Sequence, residues 1–175
     1  MTNFFGLGAA ALAAVAGAAV LGAAGANAMG EKAAAADVAG AAPVGPAIVE
    51  TASAVDFETT LSQLKAAVEK RGLKTFAEID HAAGAASIDE TLRPTTLLIF
   101  GNPRGGTPLM QSAQTLGAAL PLKALVFEKA NGDVAIAVID IERVVAEHGA
   151  SDQATRAGNI AGALAGIAAE AGAAN

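Results

Sequence analysis

The residues with the clearest potential for chemistry lie in a glycine-rich segment, Gly101–Thr107. Glycine leaves room for a ligand to approach the backbone, so the N–H groups of Gly105 and Gly106 are candidate donors to an anion. Arg104 adds a positive charge beside them. These residues predict a site for a small anion or a carboxylate.

Thr107 and Pro108 predict how that segment ends. Threonine is a good N-cap and proline is favoured at the first helical position, so we expect a helix to begin at Pro108. The positive end of such a helix favours an anion. The alternative is a tight strand-to-helix turn, in which glycine supplies positive φ and Thr107 only caps the helix. A nucleotide-binding P-loop is excluded, because Thr107 stands where that motif needs lysine.

His81 is the second candidate for chemistry. It follows Asp80 at the end of a predicted strand, among small residues that leave its imidazole accessible. It could be a general base or a metal ligand, or a histidine that hydrogen-bonds loop backbone. Pairing with Asp80 is disfavoured, because neighbours on a strand point to opposite faces. We expect the His81 loop and the glycine-rich segment to form one pocket. In an enzyme, the glycine amides would there stabilise an oxyanion.

Metal and catalytic chemistry have weaker support. Imidazole and thioether are suitable copper ligands, which makes His81 and Met110 weak metal candidates. Met110 falls on the apolar side of a predicted helix, so core packing is the favoured interpretation.

His148, just before Gly149, is interpreted as structural. No serine lies in a Gly-x-Ser-x-Gly pattern and no spacing indicates a triad. The sequence therefore assigns no catalytic residue and predicts no cofactor.

Composition restricts the class of protein. The 175 residues allow one domain, and 53% are hydrophobic, although most of these are alanine. Aromatic residues are only 3%, which argues against stacking of nucleic-acid bases. The net charge is −6 and the pI is about 4.8, so phosphate neutralisation on nucleic acid is disfavoured. There is no cysteine, which excludes disulfides and thiol catalysis.

The first 28 residues predict export. An apolar run from Phe4 to Ala26 ends at Ala26-Asn27-Ala28, an A-x-A pattern typical of a signal peptide cleaved after Ala28. The alternative is an uncleaved membrane anchor. Cleavage is favoured, because an Ala/Gly-rich run is only marginally apolar for a stable span. Residues 29–46 predict a flexible linker, since they are rich in Ala, Gly and Pro. We expect a periplasmic or secreted protein, without stable membrane association once the leader is cleaved.

Several elements must position the candidate residues, and among them the first helix has the clearest sequence signals. Asp56 is a good N-cap, the apolar spacing from Phe57 to Val68 fits one helical face, and Gly72 is a natural stop. Asn131-Gly132 is a strong hairpin signal. The other predicted elements are strands at Ala47–Ala54, Leu73–Asp80, Thr95–Phe100, Leu122–Lys129 and Val134–Asp140, a loop or short helix at His81–Thr91, a helix capped by Asp140, and an Ala-rich helix from Ser151 with Ile160, Leu164 and Ile167 on one stripe.

This order predicts an α+β fold: a mainly antiparallel sheet with helices on one face, over residues 47–150, followed by the Ala-rich helix in 151–175. Two stretches, Ile79–Ala85 and Leu92–Met110, together with Leu120–Lys123 and Asn131–Asp133, resemble the family called domain of unknown function 302. The resemblance covers roughly Val55 to Gly149. It implies a compact two-layer sandwich similar to a half-domain of the TATA-binding protein, which does not imply DNA binding.

These observations favour a module that binds a small ligand or a partner protein. The ligand-binding candidates are His81, Arg104, Gly105, Gly106 and Thr107. The alternatives are an enzyme with His81 as general base and a periplasmic copper-handling domain. The sheet and helix faces are candidates for homodimer contacts.

Overall fold

The computed structural model describes residues 47–174. The predictions of a leader at 1–28 and of a linker at 29–46 lie outside these residues. The described chain contains five strands, five α-helices and two short 3₁₀ segments, at Gln114–Ala118 and Ser151–Gln153. The strands are β1 Ile48–Ala52, β2 Lys74–Asp80, β3 Thr95–Gly101, β4 Leu122–Glu128 and β5 Val134–Ile139; the helices are α1 Phe57–Lys70, α2 His81–Ala86, α3 Pro103–Ser112, α4 Ile141–Glu147 and α5 Ala154–Ala171.

All five strands form one antiparallel sheet in the order β1-β5-β4-β3-β2. β4 and β5 are joined by the predicted hairpin. In its turn, Gly132 has a φ of 86° and Lys129 N–H donates to the Asp133 carbonyl at 2.8 Å. Strand β2 carries an irregularity between Thr75 and Ala77, so Phe76 is an extra residue at the sheet edge.

The helices and the core lie on one face of the sheet. Residues alternate across a strand, and in β3 the side chains of Thr96, Leu98 and Phe100 are buried. They join a cluster with Leu64 of α1 and Leu164 of α5. The architecture is therefore the predicted two-layer α/β sandwich.

Local capping explains why several helices begin where the sequence predicts. Asp56 accepts a hydrogen bond from Thr59 N–H at the start of α1. Asp140 accepts one from Arg143 N–H at the start of α4. Asp80 does the same for α2 through Ala83 N–H, which makes the His81–Thr91 region begin as a short helix.

Helix α3 begins earlier than predicted, and the assignment of Thr107 as its N-cap was wrong. The cap is Asn102, whose side chain accepts from Arg104 N–H at 2.9 Å, and the N1 proline is Pro103. Thr107 and Pro108 lie inside the helix. Asn102-Pro103 and Thr107-Pro108 are each a capping residue followed by proline, and α3 begins at the first of these two pairs.

Helix α5 is part of the same core and shows the predicted stripe. Leu164 and Ile167 are buried and Ile160 is partly buried against the core. On its outer side, Glu170 forms ion pairs with Lys70 and Arg71, at the end of α1 and just beyond it. None of the helices among residues 47–174 combines the length and apolar character needed to cross a membrane.

Candidate functional site

A cleft of about 770 Å³, which we call the α3–α5 cavity, lies between α3, the β2–β3 edge and α5. Apolar side chains form its floor and walls. They are Leu73, Phe76, Met110, Leu120, Pro121, Leu122, Ile160, Ala163, Leu164 and Ile167. Polar residues lie on the part of the lining that includes the first turns of α5, namely Asp152, Gln153, Thr155, Arg156 and Asn159, with Asn102 and Thr107 from the α3 side.

Two local irregularities of the sheet create the apolar wall. Phe76, the extra residue of β2, is 48% exposed, because it lies outside the regular alternation that would bury it. Gly101 ends β3 beside it: a Cβ at this glycine would lie 3.5 Å from the Phe76 ring and 3.7 Å from Pro121 Cβ. Glycine at this position therefore keeps the base of the cavity open.

A chain of hydrogen bonds connects the polar residues at the start of α5. Ser112 Oγ donates to Asp152 Oδ1 at 2.5 Å, and Gln153 Nε2 donates to Asp152 Oδ2 at 2.8 Å. Arg156 Nε donates to Gln153 Oε1 at 3.2 Å. The bond from Ser112, followed by that from Gln153, lowers the pKa of Asp152 from its usual value. The chain therefore links the end of α3 to the guanidinium group of Arg156.

The glycine amides are not the anion donors that the sequence predicts. Gly105 N–H and Gly106 N–H both donate to the Asn102 carbonyl, at 2.9 and 3.2 Å. Arg104 N–H is used by the Asn102 side chain, and Pro103 has no N–H. Because these amides form the first turn of α3, the prediction that they stabilise an anion or oxyanion was wrong. Gly105, Gly106 and Thr107 do line the cavity, through their small size and position.

His81 and the glycine-rich segment do not share a pocket, so that prediction was also wrong. The antiparallel register pairs Lys74 with Gly101 and Asp80 with Thr96, which places His81 at the other end of β2 from that segment. The two ends of β2, Lys74 and Asp80, are six residue steps apart, which is about 20 Å at ~3.3 Å per step. His81 is exposed at the start of α2. This geometry leaves no arrangement in which His81 acts as base beside the Gly105 amide.

The weak metal candidates are likewise separated. Met110 lines the α3–α5 cavity, whereas His81 does not. Within residues 47–174, no group of three or more His, Cys, Asp or Glu side chains is arranged to hold a metal ion. His148 caps α4, and its Nδ1 lies 2.8 Å from Thr115 Oγ1, which fits the structural role that the sequence predicts for it.

The residues that the sequence interpretation missed are those of α5. Gln153, Arg156 and Asn159 recur every three residues, and Ile160, Ala163 and Ile167 continue the same side of the helix into the apolar wall. This polar-then-apolar stripe was visible in the sequence. Its meaning depended on how α5 docks against α3, which no local pattern specifies.

The second notable surface is the sheet face that carries no helix among residues 47–174, which we call the open face. Registered neighbours place Ile79, Leu97, Leu125, Ala137 and Glu50 in one row across the five strands. Four members of this row, Leu97, Leu125, Ala137 and Glu50, line a shallow apolar depression together with Phe127, Ile139, Ile48 and Lys123. Ile48 is 46% and Ile79 40% exposed. At one side Lys129 pairs with Glu50 at 2.9 Å.

The comparisons with known proteins give a fold and a family. A crystal structure of an uncharacterised conserved DUF302 protein from Bacillus stearothermophilus superposes with a TM-score of 0.66 at 16% identity, covering 71% of this chain and 97% of that one. This likeness shows the fold alone.

Curated relatives match a shorter stretch. A protein named fluoride-specific ion channel FluC 1 from Brucella suis is 37% identical over 97 residues, which are 55% of this chain and 38% of that protein. A protein of the same name from Brucella abortus gives the same identity over 36% of its length. The chain thus spans less than two fifths of these relatives, whose name describes the whole proteins.

The family model called domain of unknown function DUF302 matches residues 49–170. The match extends beyond the Val55–Gly149 range of the motif resemblance and includes most of α5, so the cavity wall formed by that helix belongs to the family domain. The chain belongs to the DUF302 family.

Proposed function

We propose that this domain binds a small, largely apolar ligand in the α3–α5 cavity. The observation that carries the proposal is the cavity itself: about 770 Å³, walled by apolar side chains of α3, α5, the sheet and the adjoining loops, with polar groups concentrated at the start of α5. Ligand sites in proteins have this size and this mixture of apolar walls with a few polar groups.

The hydrophobic effect supplies the driving force for such binding. A ligand that buries about 250 Å² of apolar surface gains roughly 6 kcal/mol at ~25 cal/mol per Å². Lost translational and rotational freedom offsets part of that gain. We therefore expect dissociation constants in the micromolar to millimolar range, within reach of fluorescence and NMR titration.

Two alanines of α5 provide a matched test in the full-length protein. Ala163 lines the cavity, whereas Ala165, two residues away and also exposed, does not. Ala163→Phe should fill the cavity and Ala165→Phe should leave it open. We expect the neutral probe N-phenyl-1-naphthylamine to bind the wild type saturably, with at least ~10-fold weaker binding to Ala163→Phe and unchanged binding to Ala165→Phe. Equal binding to both variants, or no saturable binding to the wild type, would contradict the proposal.

The proposal includes the exported location that residues 1–28 predict, and it contains no catalytic step. The contact between His81 and the glycine amides, on which the enzyme alternative depended, is absent from the fold. Copper handling has no support from the position of Met110, which lies in an apolar wall.

A second candidate function, protein binding, is favoured by the open face, and the partner that we propose is a second copy of this chain. Five strands ~4.8 Å apart and about six residues long cover about 500 Å² in plan. Two copies would bury roughly 1,000 Å², at the lower end of specific interfaces. The chain carries a net charge of −6, yet the charged residues that line the depression of this face are Lys123 and Glu50, and Glu50 is paired with Lys129. Two such faces can meet without opposing acidic clusters. Sedimentation velocity over a range of concentrations tests this proposal.

A further inference from the structure

The α3–α5 cavity has one cationic group among its lining side chains, and that group is held in position. Arg156 lies in the first turn of α5, and Gln153 Oε1 accepts from its Nε. Gln153 is itself fixed, because its Nε2 donates to Asp152 Oδ2. Asp152 is fixed in turn by Ser112 of α3. Three side chains, those of Gln153, Asp152 and Ser112, therefore orient the exposed guanidinium group of Arg156.

This arrangement leaves the terminal nitrogens of Arg156 available to a ligand. Within residues 47–174, no carboxylate lies within 4.0 Å of the Arg156 guanidinium, whereas Arg71 and Arg143 each form an ion pair. A guanidinium group presents paired N–H donors in a plane, which matches the two oxygens of a carboxylate.

Asp152 is the group on this rim that would oppose an anion. Each of its oxygens accepts a hydrogen bond, one from Ser112 and one from Gln153. Gln153 therefore lies between the acidic and the basic side chain in the chain of bonds. The arrangement separates Asp152 from Arg156, instead of letting the two neutralise each other.

We infer that the ligand of the α3–α5 cavity is an amphiphile with an anionic head group of the carboxylate type, which binds Arg156 while its apolar body lies against Met110, Ile160 and Leu164. This inference rests on the proposed function and adds the ligand's charge and orientation. Gln153 is a positioning residue, because it acts through the guanidinium group.

The test compares decanoate with decanol, which share the apolar chain and differ in the head group. Each competes with N-phenyl-1-naphthylamine for the full-length protein. For the wild type, we expect decanoate to bind more tightly than decanol. Arg156→Gln should weaken decanoate binding by about tenfold or more, which is typical of losing a charge-assisted hydrogen bond, and leave decanol unchanged. Gln153→Ala should give a smaller loss, again for decanoate alone.

Arg104→Gln is the matched control, since Arg104 is exposed, lies on α3 and does not line the cavity. It should change neither affinity. If Arg156→Gln weakens both ligands equally or neither, the inference is overturned while the cavity proposal stands. The same holds if the naphthylamine binds and neither decanoate nor decanol displaces it. If no ligand binds the wild type, the proposed function itself fails.

Discussion

Aspartate and asparagine side chains at helix starts account for much of the polar chemistry in this domain. Asp56, Asp80, Asn102 and Asp140 each accept a hydrogen bond from a backbone N–H of the helix that follows. Such bonds satisfy donors that have no partner within the helix. At α3, the Asn102 side chain accepts from Arg104 N–H, and the Asn102 carbonyl accepts from the N–H groups of Gly105 and Gly106. These donors therefore serve the fold, while Arg156 remains available for a ligand.

Asp56 gives a prediction for pH dependence. Hydrogen bonds from the Thr59 backbone N–H and then from its hydroxyl lower the pKa of Asp56 in the folded state. A lowered pKa means that the carboxylate stabilises the fold above its unfolded-state pKa, and that this contribution is lost as pH falls through the folded-state pKa. We therefore expect wild type to have a higher Tm than Asp56→Ala at pH 7, with the difference shrinking below about pH 4.

Asp56→Ser is the control for this prediction, because serine can cap the helix without titrating in this range. Asp152 and Glu170 also have lowered pKa values, so all three proteins should lose stability in acid; only the difference between variants reports on Asp56. A Tm difference between wild type and Asp56→Ala that is constant from pH 7 to pH 3 would contradict the assigned role.

Residue-scale features were predictable from sequence where their cause is local. Asp56 and Asp140 were identified as caps because the bond reaches only three residues along the chain. Arg156 was not identified, because its role depends on Ser112, more than forty positions earlier, lying beside Asp152. Similarly, a pocket shared by His81 and the glycine-rich segment was predicted from residue types alone, and the β2–β3 register places the two at opposite ends of β2.

At the scale of elements, α3 shows how a local signal can be ambiguous. Asn102-Pro103 and Thr107-Pro108 are both a capping residue followed by proline, and either could begin a helix. Starting at Pro103 lengthens the helix and still buries Leu109 against the core. The cost is Pro108 inside the helix, where proline supplies no N–H. The sequence predicted that a helix exists here, and the longer packed helix determined where it starts.

The earlier start of α3 predicts how Gly105 responds to substitution. Gly105 lies within the helix, its φ is not positive, and a Cβ there would meet no atom within 4 Å. Gly105→Ala should therefore stabilise the protein by about 0.5–1 kcal/mol in urea unfolding, because alanine loses less conformational entropy. A glycine required by a turn would give the opposite sign.

Gly132→Ala supplies the contrast. Gly132 has a φ of 86° in the β4–β5 turn, a conformation that strains alanine although no atom would obstruct its Cβ. We expect it to destabilise by about 1 kcal/mol or more. If both substitutions destabilise the protein equally, the first turn of α3 is not helical in solution.

At the scale of the whole molecule, the two layers leave two surfaces for function. Helix α5 covers the core and forms one wall of the cavity, whereas the opposite side of the sheet has no helix among the described residues. Strand alternation and hairpin signals in the sequence were enough to predict an antiparallel sheet with helices on one face. The docking of α5 against α1 and α4 was not predictable in the same way, because its alanine-rich surface has few features that distinguish one packing partner from another.

Self-association through the open face is the prediction at this scale. Leu125 lies in the central row of that face, on the middle strand of the sheet. Burial of the face is modest, so we expect a dimer with a dissociation constant on the order of 100 µM. Leu125→Lys should abolish it, because two lysines would be brought together in an apolar contact. Ser62→Lys makes the same change in charge at an exposed position of α1 and should leave the dimer intact.

In sedimentation velocity, wild type and Ser62→Lys should therefore shift towards the dimer as concentration rises, while Leu125→Lys remains monomeric. A wild type that is monomeric at all concentrations, or a dimer that survives Leu125→Lys, would show that the open face is not the contact.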